Sequence, residues 1–253
     1  YHVVTEYSDR SKMVYRMSKS INGPWIAPSD DAFDGRAYYA GRTFCLNGQR
    51  ILFGWVPTKE NSDDHANFEW AGTFVAHEIY QREDGTLGVK IPDTVWAAFN
   101  EREKIADFTI DSPYAREEKV VARECGDLFS FEADVKFSGD PRSFGVRILE
   151  SEEKAQAYQF LFHVKENRYV FEKNPNWPWF GCMNIGLERP IDLNAGETYH
   201  IQIIFDDDIA TLYVNGVALN TRAYEKPGDS LSLFVTDGTL EVTNASIARG
   251  IKA

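Results

Sequence analysis

Apolar and polar residues alternate with a period of two along nearly the whole of this 253-residue chain. The alternation is plain in YHVVTEY and KMVYRMS near the start, and again in GTFVAHEIYQ and TLGVKIP further on. A period of two places the apolar side chains on one face of a β-strand, whereas a helix needs a period near 3.6. The sequence therefore predicts an all-β fold.

Turn residues separate the alternating segments and predict how they pair. Asn47-Gly48 lies between AYYAGRTF and RILFGWV, and this dipeptide favours the tight turn of a β-hairpin. Glu83-Asp84-Gly85 joins the next two segments, and DRS joins the first two. The first 92 residues are thus expected to form roughly six to eight strands.

From Phe108 onward the alternating segments become longer and recur at regular spacing, as in LFSFEADVKF, AYQFLFHVKE and TYHIQIIFDDD. Many antiparallel strands with turns between them are typical of a two-sheet β-sandwich, here of the jelly-roll type. Asp93 to Lys104 is the one segment with a helical pattern. We therefore predict three regions: residues 1–92, a connector with a short helix over 93–108, and a β-sandwich over 109–253.

Composition narrows the possible partners. A hydrophobic fraction of 43% and an aromatic fraction of 14% exclude a disordered chain. The net charge of −12 disfavours nucleic acids and anionic membranes, whereas a neutral sugar is compatible with it. No apolar run is long enough for a membrane span. The chain starts at Tyr1 without a basic and apolar leader, so we expect an N-terminus that has been cut.

Residues that bind metals or form disulfides are few. The three cysteines, Cys45, Cys125 and Cys182, show no CxxC spacing; they leave room for one disulfide bridge, but we favour three buried thiols. The acidic clusters lack the spacing of a calcium loop, so they are expected to be solvated turns: Asp30-Asp31, Asp63-Asp64 and Asp206-Asp207-Asp208. No metal or cofactor is predicted.

One stretch resembles a known family. DGRAYYAGRTF followed by GQRILFGWV is similar to the fourth-to-fifth blade region of glycoside hydrolase family 32, the invertases, levanases and inulinases. WAGTFVAHEIYQREDGTLGVKIP resembles the segments that follow in that family, with Ala76-His77 in place of Pro-Arg and with Glu78 kept. The resemblance implies a five-bladed β-propeller, of which residues 1–92 supply about the last two blades, followed by a C-terminal β-sandwich.

The resemblance also implies that the catalytic residues lie outside this chain. A retaining β-fructosidase needs a nucleophilic carboxylate and a second carboxylic acid. The family carries them on its first blades, in Asn-Asp-Pro, Arg-Asp-Pro and Glu-Cys segments, and none occurs here in its proper place. Glu124-Cys125 matches one dipeptide by letters, but it follows the strand that contains Gly54 and Trp55, whereas the family's acid precedes the Asp34-like segment. We therefore interpret it as a coincidence on a solvated strand edge.

Six residues are candidates for sugar binding. The family has an Asp at the place of Asp34 that holds sugar hydroxyls, with a basic residue soon after, where this chain has Ala37; Arg36 or Arg42 would have to replace that residue. Of the two tyrosines, Tyr38 is predicted to be the exposed one. Aromatic rings stack on sugar faces, which makes two tryptophans candidates, although sealing the blade core or the domain interface is the favoured role for both. The set is Asp34, Arg36, Tyr38, Arg42, Trp55 and Trp70.

Two further segments have alternative interpretations. His77 and Glu78 are neighbours on one strand and are expected to face opposite ways, which gives little support for an acid–base pair. Lys173 to Met183 carries Trp177, Trp179 and Phe180 on a proline-stiffened loop. Exposed, these rings would be a platform for a glycan; buried, they would pack the sandwich against the propeller, which we favour.

Three functions remain open at this point. The first is the C-terminal part of a β-fructosidase-like hydrolase acting on fructans or sucrose-like sugars, with an N-terminal propeller segment in the same or another chain. The second is a non-catalytic carbohydrate-binding β-sandwich protein, and the third a structural fragment. A related propeller glycosidase acting on arabinose or xylose glycans is also compatible. The resemblance implies an extracellular or periplasmic protein.

Overall fold

The computed structural model describes residues 1–6, 11–176 and 186–251. Its elements are, in chain order, β1 (His2–Glu6), β2 (Lys12–Arg16), β3 (Tyr39–Leu46), β4 (Gln49–Lys59), β5 (Phe68–Gln81), β6 (Leu87–Lys90), α1 (Asp93–Ala98), β7 (Arg102–Lys104), β8 (Phe108–Ala122), β9 (Leu128–Ser138), β10 (Ser143–Glu150), β11 (Ala157–His163), β12 (Arg168–Asn174), β13 (Glu188–Pro190), β14 (Thr198–Asp206), β15 (Ile209–Val214), β16 (Val217–Arg222) and β17 (Ser230–Arg249). Short 3-10 turns lie at Glu60–Ser62 and Val164–Glu166. The all-β prediction is confirmed.

The hairpins of the first 92 residues form as predicted. Strands β1 and β2 pair antiparallel as a separate two-stranded sheet, and β3-β4-β5-β6 form a four-stranded antiparallel sheet. Asn47 and Gly48 take φ of 50° and 85° between β3 and β4, the positive values that a two-residue hairpin turn requires. The two sheets together hold six strands, within the expected number.

The predicted helix is shorter than its pattern suggested. Helix α1 ends at Ala98, and Arg102–Lys104 of the same segment forms β7 on the edge of β17. Trp96 still packs against the core, and the Arg102 guanidinium lies 4.3 Å from the centre of its ring. A six-residue helix is below the length at which helices are stable alone, so this packing holds it in place.

The remaining strands build one large antiparallel sheet that curls into a near-barrel. The order is β13-β12-β11-β10-β17-β9-β14-β15-β16, with β7 and β8 also paired to β17. The prediction of two separate sheets is modified by β17, because this 20-residue strand pairs with β10 through its first half and with β9 through its second. One long strand therefore belongs to both layers.

Aromatic residues fill the space inside the near-barrel. Phe144 and Phe162 stack with ring centres 4.7 Å apart, and Phe162 also stacks on Tyr169 at 5.1 Å. These rings are fully buried and alternate along their strands with residues of the outer face. Burial of such large apolar side chains is the main stabilising contribution to this part of the chain.

Candidate functional site

The loop before β3 brings Asp34 into a buried hydrogen-bond network between the four-stranded sheet and the near-barrel. The carboxylate is 1% exposed. Its Oδ1 accepts hydrogen bonds from the backbone N–H groups of Gly35 (2.5 Å) and Asn220 (2.8 Å). Its Oδ2 accepts one from Asn220 Nδ2 (2.5 Å) and lies 2.9 Å from His77 Nε2. Protein groups therefore occupy both oxygens of the carboxylate.

His77 links this carboxylate to a tyrosine of the near-barrel. Its Nδ1 lies 2.7 Å from the Tyr213 hydroxyl, and the Tyr38 ring packs 4.6 Å from the imidazole. Burial alone would raise the pKa of Asp34, but the hydrogen bond and charge of His77 and the Asn220 N–H lower it below its ordinary value. Burial and the Asp34 charge raise the pKa of Tyr213 well above its ordinary value.

This network, Asp34–His77–Asn220–Tyr213, resembles a proton relay in composition. All four residues are 5% exposed or less, so no substrate atom reaches them in the described chain. Its polar atoms come from the loop before β3, from β5, β15 and β16. The arrangement therefore joins the four-stranded sheet to the near-barrel.

Tyr38 is buried, and the prediction that it is the exposed tyrosine is wrong. The side chain is 0% exposed and its hydroxyl lies 3.0 Å from the Val75 carbonyl oxygen and 3.2 Å from that of Leu52. The ring fits against Gly54, where a Cβ atom would lie 2.4 Å from it. Tyr39 takes the outward position instead, because an irregularity in the pairing of β3 with β4 lies between Tyr39 and Arg42.

The two candidate arginines are both exposed, and the hydrogen bonds of each go to other parts of the chain. Arg36 is exposed, and its backbone N–H donates to the Gly186 carbonyl oxygen at 3.3 Å. Arg42 is exposed on the outer side of β3, opposite Phe53. Its Nη1 donates to the Gly41 carbonyl oxygen at 2.9 Å. The described hydrogen bonds of Asp34 come from Gly35, His77 and Asn220 rather than from either arginine.

Trp55 and Trp70 lie together on the other face of the four-stranded sheet. Their ring centres are 5.4 Å apart, and Tyr39 completes an edge-to-face trio at 5.6 and 5.9 Å. Trp70 is 72% exposed. Five of the six candidates therefore divide between two faces: Asp34 and Tyr38 are sealed inside, whereas Arg42, Trp55 and Trp70 face out. The sixth, Arg36, is exposed on the loop before β3.

Three phenylalanines extend this aromatic surface along the sheet. Phe44 stacks on Phe53 at 5.2 Å, and Phe53 meets Phe74 edge-on at 6.5 Å. Phe44 is 42% and Phe74 72% exposed. We call the whole surface the outer aromatic face; its members are Tyr39, Phe44, Phe53, Trp55, Trp70 and Phe74.

A second polar junction joins the sheet to the near-barrel, and no pattern in the sequence predicted it. Asp64 is 0% exposed, so the expectation of a solvated turn at Asp63-Asp64 is wrong for this residue. Its carboxylate accepts hydrogen bonds from the Tyr158 hydroxyl and from the Tyr224 backbone N–H. Arg222 donates to the carbonyl oxygens of Val56 (2.9 Å) and Pro57 (2.8 Å).

The other acidic clusters differ from one another. Asp31 is 6% exposed and lies 2.5 Å from Arg16, and Asp30 pairs with the buried Arg189, so this turn is not simply solvated. Asp206 and Asp207 are exposed, as expected. Among the described residues, no group of three or more potential ligands is placed to hold a metal ion.

The remaining sequence predictions have mixed outcomes. His77 and Glu78 face opposite ways, as expected, and Glu78 lies 3.3 Å from Lys90. Glu124 is exposed but lies in the connection between β8 and β9, with φ of 53°, rather than on a strand. Cys125 is buried and burial raises the pKa of its thiol to about 12, whereas Cys45 is exposed, against expectation. Cys182 and the ring-bearing loop of Trp177, Trp179 and Phe180 lie outside the described residues.

A cleft of about 480 Å³ lies where the four-stranded sheet meets the near-barrel. Glu78 and Lys90 line it on one side, and His200 and Asn215 on the other.

Within the described part of the chain, no helix is long and apolar enough to cross a membrane.

Comparison with known protein families finds a match to the part of the chain that forms the near-barrel. The sequence model of the family described as "Glycosyl hydrolases family 32 C terminal" matches residues 99–249. No curated protein matches the chain. The near-barrel corresponds to the C-terminal β-sandwich region of that family.

Several solved structures share the fold. A fructosyltransferase from A. japonicus is 17% identical, with a TM-score of 0.68 over 95% of this chain and 49% of its own. Fructan 1-exohydrolase IIa from Cichorium intybus, in a variant complexed with 1-kestose, is 14% identical, with a TM-score of 0.70 over 96% and 55%. Sucrose-6-phosphate hydrolase from Lactobacillus gasseri is 14% identical, with a TM-score of 0.64 over 95% and 48%. The chain thus spans about half the length of the structures it matches.

Proposed function

The chain belongs to glycosyl hydrolases family 32 through its C-terminal domain, and from that premise we propose that it is the C-terminal portion of a β-fructosidase-like hydrolase. The substrates would be fructans or sucrose-like sugars. The nucleophile and the acid/base residue would lie on N-terminal blades outside this chain, and the reaction would proceed by double displacement with retention. Under this proposal residues 1–92 are the last blades of a five-bladed propeller, 93–108 a connector and 109–253 a jelly-roll-like β-sandwich.

The outer aromatic face is the observation that carries the proposal. The inner face of the same sheet is covered by β2 and the near-barrel, yet three rings of the outer face are more than 40% exposed. Soluble proteins rarely leave a contiguous aromatic surface without a partner. In a propeller each blade packs face to face on its neighbours. A preceding blade, in the same or another chain, would cover these rings.

The two ends of the outer aromatic face suit different roles. Phe44, Phe53 and Phe74 are purely apolar and suit packing against that blade. Tyr39, Trp55 and Trp70 lie at the end where β3 begins, next to the loop that carries Asp34 and Arg36. At this end, the edges and faces of the Trp55 and Trp70 rings would contact the sugar.

The roles of the six candidate residues follow from their exposure. We propose direct sugar contact for Arg36, Arg42, Trp55 and Trp70, whose side chains reach the surface. Asp34 and Tyr38 would hold the wall in position from behind, because their polar atoms are already bonded to protein groups. An extracellular or periplasmic location belongs to the same proposal and rests on family resemblance alone.

Hydrolysis by the protein purified from its source cells tests the proposal. We expect release of fructose from sucrose, inulin or levan, and the β-anomer as the first product observed by NMR. Hydrolysis of arabinan or xylan oligosaccharides instead would favour the related arabinose- and xylose-specific glycosidases. Binding of sugars without hydrolysis of any of them would favour the non-catalytic carbohydrate-binding protein.

A further inference from the structure

The two end strands of the near-barrel sheet, β13 and β16, meet at a seam. Among the described residues, no backbone pairing joins these two strands. A side chain crosses the seam instead, because Arg189 Nη1 on β13 donates to the Ala218 carbonyl oxygen of β16 at 2.8 Å. The two edges are therefore close together, and a further segment of the chain can cover the line where they meet.

The segment of residues 30–36, just before β3, covers this seam. Gly35 lies against both end strands: a Cβ atom added to it would be 2.5 Å from Leu219 Cδ1 of β16 and 4.0 Å from the Glu188 carbonyl oxygen of β13. A side chain at this position would displace Leu219, which is fully buried. The backbone of the segment therefore fits into the seam and contacts both edges of the sheet.

Arg189 clamps the first part of the segment. This residue is 1% exposed, and its Nη2 donates to the two carboxylate oxygens of Asp30, at 3.0 and 2.8 Å, and to the Ala32 carbonyl oxygen at 2.7 Å. A guanidinium holds its donors in one plane, so several acceptors bound to it are fixed relative to one another. The near-barrel thus sets the position of the segment that leads to β3.

Gly186, which precedes β13, supports the side chain of Arg36 at the other end of the segment. The Arg36 backbone N–H donates to the Gly186 carbonyl oxygen at 3.3 Å. A Cβ atom on Gly186 would lie 3.0 Å from Cδ and 3.1 Å from Cβ of Arg36, so the aliphatic stem of the arginine packs on the glycine backbone. The φ of Gly186 is 90°, a value that favours glycine. The stem can pack there because residue 186 has no side chain.

Arg36 differs from its neighbours in exposure and in the state of its polar group. It is the one exposed residue of 33–38. Within the parts of the chain that the structure describes, its guanidinium has no hydrogen bond or ion pair. A side chain whose stem is fixed and whose donors are unused loses less conformational entropy when it binds a ligand. The packing therefore prepares this guanidinium for binding.

We propose that Gly186 is a positioning residue for the sugar wall, the surface formed by Arg36, Arg42, Trp55 and Trp70. It holds the Arg36 guanidinium in one orientation, so the near-barrel contributes to sugar binding without touching the sugar. The part of this inference that concerns sugar rests on the proposed function. The fixed orientation of Arg36 rests on the packing at the seam alone.

The mobility of the Arg36 side chain in the 253-residue chain tests the positioning. The heteronuclear NOE at arginine Nε reports fast motion of each side chain, and the Arg36 signal is assigned from its loss in Arg36→Lys. Arg123, on the connection between β8 and β9, is also exposed and serves as the reference. We expect a clearly higher NOE for Arg36 than for Arg123. Equal values for the two side chains would overturn the positioning role.

Gly186→Leu should release the Arg36 side chain. The leucine would occupy the space of the arginine stem, and we expect the NOE of Arg36 to fall to that of Arg123. Gly196→Leu is the matched control, because Gly196 has a similar φ of 83° but no atom within 4 Å of the Cβ position. Both substitutions carry the strain of a positive φ, so a fall in Gly186→Leu alone comes from the displaced stem. An unchanged NOE in a folded Gly186→Leu variant would contradict the proposal.

Kinetics of sucrose hydrolysis by the complete protein from its source cells, carrying the same substitutions, separate positioning from a general effect on folding. We expect Gly186→Leu to raise KM about tenfold, as the loss of a hydrogen bond to a charged group does, and to have no further effect in an Arg36→Ala background. Gly196→Leu should leave KM unchanged. An equal rise in both backgrounds, or no rise at all, would overturn the positioning role. Absence of any sugar hydrolysis would overturn the proposed function instead, and the NOE would still decide whether Gly186 orders Arg36.

Discussion

The two faces of the four-stranded sheet β3–β6 differ in how completely they are used. On the inner face, Leu52, His77 and Val89 are almost fully buried, and the polar groups among them have partners in the near-barrel. On the outer face, Trp70 and Phe74 are each 72% exposed. Residues of the described chain therefore cover the inner face of these strands, whereas the aromatic side chains of the outer face remain exposed to solvent.

The difference shows that this chain covers the inner face of the sheet with its own residues. A buried carboxylate such as Asp34 is tolerable only where several donors meet it, and four do so here. Such a network requires both sides to be in place, so the sheet and the near-barrel form as a unit. Packing of the outer aromatic face does not depend on exact hydrogen-bond geometry, so this face is suited to packing against another layer.

Removal of the Asp34 carboxylate should have the largest effect. Asp34→Ala leaves the Asn220 amide groups and His77 without their acceptor inside the protein, and we expect a loss of about 3 kcal/mol in the free energy of unfolding. Urea denaturation measures it. Asp140→Ala is the control, because Asp140 is 80% exposed in its pair with Lys165, and should change stability by less than about 0.5 kcal/mol. Equal stability of both variants would contradict a joining role for the network.

Filling the space beside Tyr38 should have the next largest effect. Gly54→Ala would place a Cβ atom 2.4 Å from Cζ of a ring that is 0% exposed and whose hydroxyl is hydrogen-bonded to the Val75 carbonyl oxygen. We expect a loss of about 2 kcal/mol by thermal denaturation, since the buried ring has no free space to move into. A variant as stable as the parent would show that Tyr38 is not held as described.

Acidification should weaken the inner face through Asp34. The pKa of this carboxyl is below its ordinary value in the folded chain, so its contribution is fully present above about pH 4, the range of the unfolded pKa. Below that pH the unfolded state binds more protons, and the contribution is lost as the pH falls through the folded pKa. Stability should therefore decline more steeply between about pH 4 and pH 2 in the parent than in Asp34→Asn. Identical slopes would contradict the assignment.

Polar substitutions on the outer aromatic face should have the smallest effect on this chain. We expect Trp70→Ser and Phe74→Ser to change the free energy of unfolding by less than about 0.5 kcal/mol, because both side chains are largely in water already. Leu52→Ala on the inner face is the matched comparison and should cost about 3 kcal/mol. A large loss in Trp70→Ser would mean that the outer face is already covered in the chain as isolated.

The sequence predicted the strands better than it predicted the buried polar groups. Alternation and Asn47-Gly48 were enough to place the hairpin β3–β4, because both signals are local. Strand β8 was missed because FTIDSPYAREEKVVA has no steady period of two; its pairing with β17 holds it in place. The end of α1 was misplaced because Arg102–Lys104 pairs with β17 as strand β7.

The candidate site shows where local patterns stop being informative. Tyr38 was assigned to the wrong face because the irregularity between Tyr39 and Arg42 shifts the alternation by one residue. Asn220 lies 186 residues from Asp34 along the chain, and Tyr158 lies 94 residues from Asp64, so no spacing rule reveals these contacts.

Oxidative footprinting with mass spectrometry tests the central claim most directly. The exposure of Trp70 and Phe74 would be measured in the 253-residue chain and in the protein purified from its source cells. If N-terminal blades cover the outer aromatic face, both residues will be modified rapidly in the chain and protected in the source protein, while the buried Tyr38 stays protected in both. Equal, rapid modification of Trp70 and Phe74 in the two preparations would contradict the proposal that this face is packed against a preceding blade.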